Sequence, residues 1–148
     1  MRKVNQHWIA ALAVIGVMVV FGASPLPASA QSPSSKQRVV IQVSDAEPGK
    51  WRLALNNASN VQQELGAQNV EIEIVAYGPG IGMLKLESEV GNGVRQAMTE
   101  GVKVVACENT MRNQKLKRED MQARISYVNA GVVEIMDKQR AGWAYLRP

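Results

Sequence analysis

The stretch Val102–Thr110, V-K-V-V-A-C-E-N-T, decides how the chain is read, because it runs from a buried strand straight into the only cysteine of the 148-residue sequence, Cys107. Val102, Val104, Val105 and Ala106 make a short β-branched run that opens after Gly101, and Asn109 and Thr110 beyond it favour turns and helix N-caps. Cys107 is therefore expected at the carboxyl end of a central strand, facing a helix start. In open α/β sheets ligands bind at that edge, and helix N-termini lower thiol pKa values. A second reading stands beside this one: free cysteine is among the most buried residue types and often behaves as a small hydrophobe.

Upstream, Val39, Val40, Ile41 and Val43 form a nearly continuous apolar run, as expected of a parallel strand covered on both faces. Ser44–Gly49 follows as a loop in which Asp45 or Glu47 can cap a helix and Pro48 suits its first turn. Trp51, Ala54, Leu55, Ala58, Val61 and Leu65 recur at helical spacing up to Gly66, with Trp51 read as core or subunit contact. Val70–Ala76 alternates Val70, Ile72 and Ile74 with Glu71 and Glu73, the period of a strand with one wetter face, and is expected at the sheet edge. It leads into the glycine-rich Tyr77–Gly82. That loop is a poor nucleotide motif, with Pro79 inside it, no third helical glycine at the required spacing and no Lys-Ser/Thr pair. Its glycines fit either a close approach to the thiol pocket or a plain tight turn.

Met83, Leu84 and Leu86 suggest a short helical turn, and Val90, Val94, Ala97 and Met98 an amphipathic helix that stops at Gly101. After Cys107 the pattern predicts a helix from Asn109 to Asn113, a turn over Lys117–Gln122, a strand within Arg124–Val128, a helix over Gly131–Arg140 and a last strand over Trp143–Leu146. Strands alternate with helices without a repeat. The fold class is α/β, with a mainly parallel sheet between helices.

Residues 1–30 are read as a signal peptide: Arg2 and Lys3 precede an apolar run from Trp8 to Gly22, and Ala28-Ser29-Ala30 is a small-x-small cleavage site. The run is shorter than the roughly 20 residues a membrane span needs. Cleavage after Ala30 would leave no membrane association, a polar tether over residues 31–37 and one domain over residues 38–148. Without Arg2 and Lys3, 15 basic residues face 13 acidic ones, so no nucleic-acid partner is expected. The only histidine, His7, also lies in the leader. The mature chain thus lacks the residues for Ser-His-Asp or Cys-His catalysis and for the common zinc and iron–sulfur sites, and one cysteine allows no intramolecular disulfide. No metal or other cofactor is expected.

Five segments taken in order, V-V-I-Q-V-S-D-A-E-P-G-K-W, Y-G-P-G, V-K-V-V-A-C-E-N-T-M, Y-V-N-A-G-V-V-E-I-M and G-W-A-Y-L-R-P, resemble the DsrE/DsrF-like family in its exported single-domain form. The resemblance implies a three-layer α/β/α sandwich with a mostly parallel five-stranded sheet and a homo-oligomer, trimeric or hexameric. It also implies that Cys107 carries sulfur as a persulfide, exchanged with sulfur donor and acceptor proteins. In that reading the protein is periplasmic, Asn109 and Thr110 contact the bound sulfur species, and Gly78, Pro79 and Gly80 form the opposite wall. Glu108 disfavours a thiolate, whereas the helix start and Lys103 or Arg112 favour it. The alternative is a binding or assembly module with a buried, inert Cys107. A thiol-disulfide oxidoreductase fits poorly, because there is no C-x-x-C.

Overall fold

A computed structural model describes residues 36–148; the expected signal peptide and most of the tether lie outside the described residues. Five strands, β1 (Gln37–Val43), β2 (Val70–Ala76), β3 (Lys103–Cys107), β4 (Ser126–Val128) and β5 (Ala144–Leu146), form one sheet in the order β4-β3-β2-β1-β5. All four pairings are parallel. Helices α1 (Pro48–Leu65), α2 (Gly91–Thr99), α3 (Glu108–Asn113) and α4 (Gly131–Arg140) cover both faces. The expected α/β class and sandwich are present, with the sheet wholly parallel.

The two faces are covered unequally. On one, Trp51, Ala54 and Ala58 of α1, Val94 and Ala97 of α2 and Met111 of α3 pack on Val39, Ile41, Ile72, Ile74, Val104 and Ala106. On the other, Ile135 of α4 and Trp143 pack on Val40, Val75 and Val105. Because strand residues alternate between faces, Cys107 shares the α4 face with Val105.

β2 corrects the sequence expectation: it lies between β1 and β3 at the centre of the sheet, not at its edge. Glu71 is exposed as the alternation implied, but Glu73 is fully buried under α4. Its carboxylate meets Lys103 of β3 at 2.9 Å, its register partner, and Lys138 of α4 at 2.8 Å. Period-two alternation marks a polar face without saying whether water or opposite charge receives it.

Smaller departures have local causes. Glu47 occupies the N-cap of α1, but neither it nor Asp45 supplies a side-chain cap; the Asp45 carbonyl instead accepts the Trp51 indole N–H at 2.7 Å. β4 starts at Ser126 because Arg124 has φ +68°, which no strand residue adopts. β1 begins at Gln37, one residue early, and the turn expected at Met83–Leu86 belongs to a 3₁₀ segment over Gly78–Leu84.

Candidate functional site

β3 and β4 are neighbours whose connections part at their carboxyl ends. The chain leaving β3 enters α3 on one face, and the chain leaving β4 enters α4 on the other. Such a parting opens a crevice, the usual ligand position in open α/β sheets. Cys107, last residue of β3 and N-cap of α3, stands in it with Val128 as its register partner. The Asn109 amide donates to the Asn129 carbonyl at 3.0 Å and ties the two connections together.

Two helix starts therefore converge on the sulfur, where the sequence had indicated one. The Sγ–H group points at the Asn129 carbonyl, 3.9 Å away. Burial pushes the thiol pKa up, but the Thr110 hydroxyl and the backbone N–H groups of Gly131, Thr110 and Asn109 outweigh it, and the pKa lies below the ordinary value. These donors serve the thiolate more than the thiol. The Asn109 amide, already bonded to Asn129, contributes least.

The glycine loop does leave the same edge. The Gly78 amide donates to Thr110 Oγ1 at 2.9 Å, and Gln114 Nε2 donates to the Gly78 carbonyl at 3.2 Å. The Thr110 hydroxyl thus accepts from the loop and keeps its own proton for the sulfur. At Gly80 a Cβ would lie 2.2 Å from the Val43 carbonyl oxygen, so only glycine lets the loop pass the end of β1. Pro79 sits in the first turn of the 3₁₀ segment. Asn109 places its side chain toward Arg112, whose guanidinium donates to Oδ1.

Three charges proposed to tune the thiol act elsewhere. Lys103 is taken by Glu73. Arg112 is bonded to Asn109. Glu108 pairs with Arg118 at 2.7 Å, which lies 4.3 Å over the Tyr127 ring. Glu108, Arg118 and Tyr127 line one side of an open cleft of about 580 Å³ whose other walls are Asn129, Val133 and Glu134. Cys107 itself is only 5 % exposed and does not line this cleft, whose nearest members to it in the chain and the sheet are Glu108 and Val128.

Sequence reasoning missed Asn129 and Gly131. The signal available was Asn-Ala-Gly between a strand and a helix. A Cβ on Gly131 would lie 3.1 Å from Tyr77 Cβ and 3.2 Å from Val75 Cγ1, so glycine lets α4 begin close against the sheet.

The architecture and the chain match a solved protein of unknown function, MTH1491 from Methanobacterium thermoautotrophicum, with 33% sequence identity and a TM-score of 0.73 over 76% of this chain and 100% of that one. The chain belongs to the MTH1491 family. Two more distant structures share the fold with this MTH1491-family chain. BT1422 of Bacteroides thetaiotaomicron, a conserved protein of unknown function, has 13% identity and a TM-score of 0.65 over 79% of this chain and 99% of its own. The ychN protein of E. coli has 12% identity and a TM-score of 0.59 over 76% and 99%. No family model and no curated protein matches.

Proposed function

We propose that this chain is a DsrE-like sulfur carrier of the bacterial periplasm, with Cys107 as the residue that holds the sulfur. The observation that supports this most is the convergence of the α3 and α4 starts and the Thr110 hydroxyl on one thiol whose pKa is lowered despite burial. The Cys107 thiolate attacks the outer sulfur of a polysulfide or persulfide donor, R-S-S⁻. A new S–S bond forms on Cys107, the donor S–S bond breaks, and the donor leaves as a thiolate that takes a proton from water. An acceptor thiolate then attacks the outer sulfur of Cys107, forming its own persulfide and restoring the Cys107 thiolate. Neither step needs an external oxidant, base or metal. Gly78, Pro79 and Gly80 would wall the sulfur species on one side, with Asn109 and Thr110 contacting it on the other.

The protein works as a homo-oligomer, a trimer or a multiple of it. Supporting this, Val132, Val133, Met136 and Tyr145 are all exposed on or beside the thinly covered α4 face. Such a cluster is the usual sign of a surface used in association.

The 5 % exposure of Cys107 favours a second reading, a binding or assembly module with an inert thiol. Exposure to polysulfide followed by intact-mass analysis separates the two. The carrier gains one sulfur per chain, removable by a reductant and absent in Cys107→Ser. A native thiol that resists both polysulfide and iodoacetamide until the protein unfolds establishes the binding-module reading.

A further inference from the structure

α4 is held to the sheet by little apolar area. Ile135 is its buried large side chain, while Val132, Val133 and Met136 are exposed. Its first residue, Gly131, rests against Val75 and Tyr77, two residues beyond Asn129, whose carbonyl lies 3.9 Å from Cys107 Sγ. Seven residues on, about 10 Å along the axis, Lys138 reaches under the helix to the buried Glu73 at 2.8 Å. Lys103 of β3 meets the same carboxylate at 2.9 Å, and Glu134 of α4 lies 3.5 Å from Lys138. The Trp143 ring closes over the Lys138 ammonium at 4.2 Å.

A buried carboxylate without its cations carries a heavy desolvation penalty. Glu73 therefore tolerates few placements of Lys138, and with them few axial positions of α4. We propose that Glu73 is a positioning residue for Cys107: through its ion pair with Lys138 it sets how far α4 extends along the sheet and so holds the Gly131 amide against the sulfur. Hydrogen bonds weaken steeply with distance and angle, so a helix displaced along its axis loses this donor. The assignment rests on Cys107 being a working thiol, but on no particular sulfur donor.

The test is the pH profile of Cys107 alkylation by iodoacetamide, with folding followed by circular dichroism. Lys138→Met keeps most of the side-chain stem and removes the charge; Glu73→Leu/Lys138→Met removes both charges, so that no carboxylate is left stranded. Ala58→Gly, on the opposite face, lowers stability without touching α4. The expected result is a roughly tenfold slower reaction near pH 7 in the folded Lys138 variants, the size of losing one donor to a charged group, with equal rates where the thiol is fully ionised. Ala58→Gly should keep the wild-type profile. Folded tether variants with an unchanged profile overturn the proposal. So does a profile that moves equally in Ala58→Gly, and so does failure of both tether variants to fold, since the pair then serves the whole fold. A wild-type thiol that reacts only on unfolding removes the functional reading itself, and this assignment with it.

Discussion

Gly131→Ala tests the Cys107 site most directly, because it acts on one donor of the thiolate. The added Cβ would meet Tyr77 Cβ at 3.1 Å, Val75 Cγ1 at 3.2 Å and Tyr77 Cδ1 at 3.3 Å. Comfortable carbon contacts lie at about 3.5–4.0 Å, so the helix start must back away by roughly half an ångström. Overpacking of this kind costs about 1–3 kcal/mol, offset by up to about 1 kcal/mol from the better helix propensity of alanine. The net loss of stability is about 0–3 kcal/mol, small enough for the protein to remain folded. The chemical effect is easier to see. Drawing the Gly131 amide off a thiolate forfeits about 1.5 kcal/mol, the low end for a bond to a charged group, and that is about tenfold in ionisation. Alkylation by iodoacetamide from about pH 5 to 10, read by mass spectrometry, should show the midpoint rising by about one pH unit with an unchanged plateau. A folded Gly131→Ala protein with the wild-type midpoint would refute the role given to the α4 start.

Gly80→Ala should be far more damaging, since its Cβ would lie 2.2 Å from backbone oxygen that cannot swing aside; the urea midpoint should fall by the equivalent of about 3 kcal/mol or more, the upper end of overpacking. Acid stability should depend on Glu73. Burial pushes this carboxyl up, but Lys138 and Lys103 hold it below its ordinary 4.5, so the native state binds fewer protons than the unfolded chain. The pair's contribution is then complete above about pH 4.5 and is lost as pH falls through the native value, so the urea midpoint should drop there in the wild type and less in Glu73→Gln. Glu134 has the opposite sign, raised by burial and by Glu73, so Glu134→Gln should steepen the acid loss. Finally, protein recovered from the native envelope should begin at Gln31 and scatter light as a trimer or a multiple of it, and Val133→Asp/Met136→Lys should reduce it to monomers.

The sequence by itself determined the α/β class, the placing of Cys107 at a strand end and the glycine loop at the same sheet edge. These follow from hydrophobic period, turn residues and composition, all local along the chain. Strand order was decided only by the tertiary structure. The alternation in Val70–Ala76 reads equally as a strand beside water or one whose polar face meets lysines, and Lys138 lies 65 positions away from Glu73 in the chain. The thiol's surroundings were likewise partly hidden. Thr110 is three residues from Cys107 and could be named in advance, whereas Gly131 arrives from another connection because β3 and β4 lie side by side and send their helices to opposite faces. A donor set assembled from two chain segments is a property of packing. No spacing in a linear sequence records it.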